Sequence, residues 1–161
     1  HKRSVDLCGD LVPMNQIIAD DLSRIEGEHF FQTHSTNPLL LKNTIISAVD
    51  KYFNNLDKND SLFSVNRLQV RLFNKHLRPL NHKTGELLRT QDLEPLYEEN
   101  SNFYIFSKSS FKTSGNNRIG DNPGIYEVNK LESIDIDEEA DFIIAEAVCE
   151  KMERNGIKAK A

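Results

Sequence analysis

The residues best placed to do chemistry are Asp135 and Asp137, two carboxylates separated by one apolar residue in Ser133-Ile134-Asp135-Ile136-Asp137. The segment reads as a strand, in which side chains alternate, so both carboxylates project from one face while Ile134 and Ile136 turn to the core. Two carboxylates converging at a strand end suit a hard divalent cation. Mg2+ prefers one or two carboxylates together with water and substrate phosphates, which points toward a nucleoside triphosphate. A plainer reading competes: Asp137 can cap the helix that follows, with Glu138 and Glu139 favoured by its dipole. On these residues alone the cap is preferred.

A second group is Gln32-Thr33-His34-Ser35-Thr36-Asn37-Pro38, polar residues released at the carboxyl end of a strand, where open α/β sheets bind their ligands. Its amides and hydroxyls suit sugar hydroxyls, although the same residue types are ordinary turn formers. A third is Arg89-Thr90-Gln91-Asp92, followed by Tyr97-Glu98-Glu99-Asn100 and the aromatic run at Phe103 and Tyr104. Arg89 can hold a carboxylate with two parallel hydrogen bonds, which lysine does less well. Phe103 and Phe106 read as core rather than as a stacking platform. In Asn117-Arg118-Ile119-Gly120, Arg118 is a possible anion contact, with a plain turn as the simpler reading.

The elements that must position these groups follow from periodicity. Met14, Ile17, Ile18, Leu22 and Ile25 recur at helical spacing after Pro13, predicting a helix over 13–25. His29 to Thr33 reads as a buried strand, and Ile45, Ile46, Val49, Tyr52 and Phe53 as a second amphipathic helix. Residues 61–65 read as another strand. Strand, helix and strand with short connections is the pattern of a parallel sheet, so the class is α/β. Residues 66–98 scatter basic residues among short apolar pairs and read as an inserted arm for dimerisation. A strand at 102–106, a Gly/Asn-rich loop over 114–124, the strand 133–137 and a helix over 138–153 stopped by Asn155-Gly156 complete the pattern.

Composition narrows the function. The 161 residues suit one domain, with net charge −5 and no basic stripe for a nucleic-acid backbone. Nothing approaches the roughly 18 apolar residues of a membrane span, so a soluble cytoplasmic protein is expected. Cys8 and Cys149 lack metal-ligand spacing and read as reduced, buried apolar groups. There is no P-loop, no Rossmann Gly-x-Gly-x-x-Gly, no His-Glu-x-x-His and no Gly-x-Ser-x-Gly, which leaves nucleophilic hydrolysis and nicotinamide chemistry without support.

In this order, Gln32 to Leu39, Arg89 to Leu93, Tyr97 to Tyr104, Asn117 to Gly120 and Ser133 to Asp137, with Asp141-Phe142 and Ala145-Glu146 behind them, resemble the acylneuraminate cytidylyltransferases, or CMP-N-acetylneuraminic acid synthetases. The resemblance reverses the local preferences for Asp135, Asp137, Gln32 and Arg89. It implies a Rossmann-like three-layer α/β sandwich of the nucleotide-diphospho-sugar transferase type and a homodimer formed by the inserted arm. The implied reaction is Mg2+-dependent transfer of CMP from CTP to the anomeric hydroxyl of a sialic-acid-like nonulosonic acid.

By resemblance, Asp135 and Asp137 carry the metal and are the catalytic pair. Gln32, Thr36 and Asn37 contact the sugar, Arg89 faces its carboxylate, Gln91 is a further substrate-binding residue, Tyr104 helps wall the carboxylate pocket, and Arg3 stands near the cytosine. The family's Gly-rich basic loop for the triphosphate has no match here, and the chain opens at His1, so an N-terminally truncated domain, inactive alone, is expected. Leu40 stands where many members have arginine after Pro-Leu, and Ser101 where glycine follows Glu-Asn. The alternatives are a non-catalytic sugar-binding or dimerisation module and a transferase for a shorter acid of the Kdo type.

Overall fold

The run Phe103-Tyr104-Ile105-Phe106 has no polar face, and the chain resolves this by burying it on both sides. A computed structural model describes residues 2–9, 11–86 and 88–157; His1, and Leu87 of the 66–98 segment, lie outside them. Four strands, β1 (His29–Thr33), β2 (Ser61–Leu68), β3 (Leu96–Ser107) and β4 (Pro123–Glu127), form one sheet in the order β1-β3-β2-β4. Successive side chains of a strand point to opposite faces. Phe103 and Ile105 therefore join Leu62 under Ala48 and Tyr52 of helix α2 (Lys42–Phe53), while Tyr104 and Phe106 pack against Ile18 and Leu22 of α1 (Met14–Arg24) and Phe111 of α3 (Lys108–Thr113). The result is helix, sheet, helix: the expected three layers. Each large apolar side chain so buried contributes about 1.5–3 kcal/mol.

Local chemistry sets the ends of the elements. Ser107 and Ser110 exchange side-chain and backbone hydrogen bonds of 2.9 and 3.0 Å, a capping box that turns β3 directly into α3. The C-terminal helix α4 (Glu139–Arg154) follows Glu138, and Asp141 Oδ2 accepts from the backbone N–H groups of Asp137 and Glu138 at 3.2 and 3.0 Å. Asp141, not Asp137, therefore serves the helix start. The helix stops at Asn155-Gly156 as expected, with Gly156 at φ 75°.

Three expectations are corrected. The sheet is mixed: β1 and β2 run the same way but are separated by β3, which pairs antiparallel with both, and only β2 with β4 is parallel. The cause is residues 69–95, which leave β2 and return into β3 as a local excursion rather than through a crossover helix. The 66–98 segment thus begins and ends as sheet, with Asn66, Arg67 and Leu68 paired to Glu98, Tyr97 and Leu96. Residues 133–137 are irregular rather than a strand, and β4 occupies the sheet edge instead. Pro123-Gly124 reads as a turn, yet proline is tolerated as the first residue of an edge strand. Finally, Cys8 is exposed and Cys149 only half-buried. No helix among the described residues is long and apolar enough to cross a membrane.

Leu40 is fully buried in the cluster under α2, beside Ala48, Tyr52 and Leu62. A charged head at that position has no buried partner, and burying an unpaired charge is costly. Leu40→Arg should therefore lower the unfolding free energy by about 3 kcal/mol or more, measured by urea denaturation. A change under about 0.5 kcal/mol would contradict the packing described here.

Candidate functional site

Between Phe63 and Val65 the register of β2 against β3 breaks: the one residue between them, Ser64, is matched by the four residues of β3 between Tyr104 and Glu99. The extra residues are held by polar side chains. Ser64 Oγ accepts from Phe103 N at 3.0 Å and donates to its carbonyl at 3.2 Å. Asn100 Nδ2 donates to Asn66 Oδ1 at 3.0 Å, and Asn102 Nδ2 donates to the Glu132 carbonyl at 2.8 Å. Ser101 sits at φ 58°, the left-handed region that glycine adopts most easily. This irregularity opens a cavity of about 200 Å³ lined by Asn66, Glu98 to Ser101, Ser133 and Asp135.

Beside it, four separate segments meet. Tyr104 is fully buried on the α1 side of the sheet, and its hydroxyl donates to Glu99 Oε1 and lies 3.3 Å from Ser101 Oγ. The Arg118 guanidinium carbon lies over the Tyr104 ring, 3.6 Å from its centroid, within the range of a cation–π contact. Arg118 Nη1 donates to Gln32 Oε1 at 2.9 Å, and Nη2 is 4.0 Å from Glu99 Oε1. Gln32 Nε2 is 2.9 Å from His34 Nε2. Burial and the cationic Arg118 depress the His34 pKa, against a smaller opposing pull from Asp135. Burial and the bond to Glu99 raise that of Tyr104.

Each residue of Asn117-Arg118-Ile119-Gly120 helps deliver that guanidinium. Asn117 Oδ1 accepts from Ile119 N at 3.1 Å, a side-chain turn, and Ile119 packs into the α1-side core. Gly120 N donates to Ser61 Oγ at 2.8 Å, while Asp60 Oδ2 accepts from the next two backbone N–H groups at 2.9 and 3.1 Å. A Cβ on Gly120 would lie 2.0 Å from Asp60 Oδ1, so only glycine allows this approach.

The acidic segment is tied to the turn after β1 by Ile136 N donating to the Thr36 carbonyl at 3.0 Å and by Asn37 Nδ2 reaching the Ile134 carbonyl at 3.5 Å. Asn37 is buried, and its Oδ1 has no hydrogen-bond partner. Asp135 is half-buried with Oδ1 likewise buried and unpartnered, whereas Asp137 is exposed. The alternation argument fails for this pair because the segment is not a strand. Among the described residues no group of three or more His, Cys, Asp or Glu is placed to hold a metal ion, so Asp135 offers a cation one carboxylate, which suits Mg2+ only with water and substrate oxygens completing its shell.

Of the expected residues the structure places Asp135 on the cavity lining; Gln32 and Tyr104 adjoin it through Arg118 and Glu99, and Thr36 and Asn37 hold the backbone on either side of Asp135. It does not gather the rest. Arg89 is exposed and spends its guanidinium on Asp92, three residues on, at 2.7 and 3.1 Å. Gln91 is exposed in the same turn, and its carbonyl accepts from Gln69 Nε2 at 2.6 Å. Arg3 lies exposed in the segment before a short 3-10 turn at Val5–Leu7. His34, Glu99 and Arg118 are the members that sequence reasoning undervalued; the motif contexts of Glu99 and Arg118 were the available signal.

No family model matches the chain. Post-translational flagellin modification protein B of Campylobacter coli is 28% identical over 161 residues, covering 90% of this chain and 65% of its own length. Among solved structures, 4-diphosphocytidyl-2C-methyl-D-erythritol synthase of Anaerococcus prevotii superposes with a TM-score of 0.57 at 11% identity, over 84% of this chain and 65% of its own. The likeness is one of fold. The chain spans 65% of the length of each.

Because the folded state holds His34 below its ordinary pKa of 6.5, the unfolded chain takes up that proton first as pH falls. The contribution of His34 to stability is therefore full above 6.5 and declines below it. Between about pH 7 and pH 5 the protein should lose more stability than His34→Gln, read by urea denaturation at each pH. Parallel pH dependences in the two proteins would contradict the depressed pKa.

Proposed function

We propose that this chain is the greater part of a cytidylyltransferase that transfers CMP from CTP to the anomeric hydroxyl of a sialic-acid-like nonulosonic acid. The observation that carries the reading is a polar cavity lined by Glu99, Ser101 and Asp135, with the contacting cluster of Gln32, Tyr104 and Arg118 beside it and joined to it through Glu99. The sheet's likeness to a synthase of a diphosphocytidyl compound and the similarity to a flagellin modification protein lend support.

In the reaction the anomeric oxygen attacks the α-phosphorus of CTP, the bond from that phosphorus to the β-bridging oxygen breaks, and pyrophosphate leaves with the electron pair. The hydroxyl proton passes to solvent. Gln32, Thr36 and Asn37 meet the sugar, with Tyr104 as the wall of its pocket. Arg89 exchanges Asp92 for the sugar carboxylate, beside Gln91, and Arg3 reaches the cytosine. Asp135 and Asp137 hold Mg2+, which when bound offsets triphosphate charge and makes the attacking hydroxyl more acidic. The protein works in the cytoplasm as a homodimer joined through residues 66–98, where Val70, Phe73, Leu77, Leu80 and Leu88 expose apolar surface. The 161-residue chain alone is inactive, because the aspartates without a phosphate-holding loop supply only part of the transition-state stabilisation.

Pyrophosphate release by the gene product that contains this chain tests the reading. Release should require CTP, Mg2+ and a nonulosonic acid together, and changing Asp135 and Asp137 both to asparagine should cut kcat/KM by roughly 100-fold or more. No release with any nonulosonic acid ends the proposal, and turnover by the isolated 161-residue chain refutes its inactivity.

A further inference from the structure

Arginine carries five N–H donors and no acceptor, so whichever amide atom of Gln32 faces Arg118 must be the oxygen. That atom lies 2.9 Å from Nη1. The other end of the same amide is then an NH2 group, and it lies 2.9 Å from Nε2 of His34. A donor at that distance requires a lone pair on the ring nitrogen. Arg118 Nη1 approaches the same nitrogen at 3.4 Å, so two donors converge on it. The proton of the neutral imidazole must therefore sit on Nδ1.

We propose that Arg118 is a positioning residue that, through the amide of Gln32, locks His34 in the Nδ1–H tautomer and makes it a fixed, uncharged hydrogen-bond donor to an oxygen of the bound sugar acid. Histidine in water prefers the opposite tautomer, with its proton on Nε2. The lock works because nothing in the chain of contacts can turn over alone. Arg118 rests over the Tyr104 ring and its loop is pinned by Asp60 and Ser61. Flipping the Gln32 amide would set its NH2 against the guanidinium, two donors facing each other. Among the described residues no acceptor meets His34 Nδ1, which leaves that donor for a ligand. The identity of the ligand rests on the transferase reading above; the tautomer does not.

The test is a long-range 1H–15N correlation spectrum of the 15N-histidine-labelled gene product at neutral pH, with His34 assigned by its loss in His34→Gln. Nδ1 is expected in the protonated, pyrrole-like range and Nε2 in the unprotonated, pyridine-like range. Gln32→Glu keeps the shape but presents oxygens at both ends of the head group, so Nε2 must take a proton and its resonance should move into the protonated range. Arg118→Met frees the amide and should move it the same way. A wild-type protein with the proton on Nε2, or a folded Gln32→Glu protein with Nε2 still unprotonated, overturns the lock. Adding N-acetylneuraminic acid with CTP and Mg2+ should shift the Nδ1–H proton. If pyrophosphate is released and that proton does not move, the ligand role of His34 is overturned while the transferase reading stands.

Discussion

Strand β3 can lie at the centre of the sheet only if the residues it inserts against β2 find partners for their backbone and amide groups. A buried unpaired polar group costs about 1–3 kcal/mol, and the insertion would otherwise carry several. Ser64 meets both backbone groups of Phe103, Asn102 N donates to Asn100 Oδ1, and Thr33 Oγ1 donates to the Asn102 carbonyl. The polar residues of Asn100-Ser101-Asn102 are thus largely consumed in holding a bulge, with Asn102 Oδ1 the buried amide atom left without a partner. What the bulge achieves is a change of use along one strand: beyond it toward the C-terminus the residues are fully buried, and before it Glu98 and Glu99 turn out to line a cavity. Bulges commonly re-aim side chains beside functional sites, and this one aims two carboxylates.

The opposite charge is brought to the same place by a loop from the sheet's other edge. One guanidinium receives three kinds of negative partner: the Tyr104 ring face, the Gln32 amide oxygen and, at 4.0 Å, the Glu99 carboxylate. Its side chain is only 16% exposed, so part of its hydration is lost and these contacts must replace it. Placement is therefore demanding, and it is secured at Gly120, where the backbone passes so close to Asp60 that no Cβ fits. A loop that looked from composition like a turn has each of its four residues committed: Asn117 to its local turn, Arg118 to the cluster, Ile119 to the core and Gly120 to the approach.

Much of the fold was legible because its signals are local. Ile17, Ile18 and Leu22 on α1, Ala48 and Tyr52 on α2, and the aromatic alternation of β3 each declare a buried face within a few residues. The direction of β3 was not legible, since a strand's pattern is the same read from either end and only the route of residues 69–95 decides it. β4 was hidden by Pro123-Gly124, which carries a turn signal at the start of a short edge strand. In the candidate site, Gln32, Asn37, Tyr104 and Asp135 could be named from motif order, but their mutual contacts depend on the bulge and on the Asp60 anchor, both of which are tertiary. His34 stood in the sequence only within a run of turn-forming polar residues, and its partner Arg118 lies on a different element.

Loss of the strand at 133–137 changes what its two aspartates can do. On a strand they would share one face and one environment. In the irregular segment observed, Asp135 is drawn toward the cavity by the hydrogen bonds of its neighbours Ile134 and Ile136 to the turn after β1, while Asp137 is left exposed where Asp141 organises the start of α4. Backbone rather than side-chain bonds fix the segment, so the Asp135 carboxylate contributes nothing to holding its own loop. Asp135 shares the cavity lining with Glu98 and Glu99, but those two carboxylates are already engaged, Glu98 by Asn66 and Glu99 by Tyr104 and, at 4.0 Å, by Arg118. Asp135 is therefore the carboxylate of that lining with a buried oxygen left unpartnered, and it owes this to the irregular path of the segment rather than to the spacing of the two aspartates.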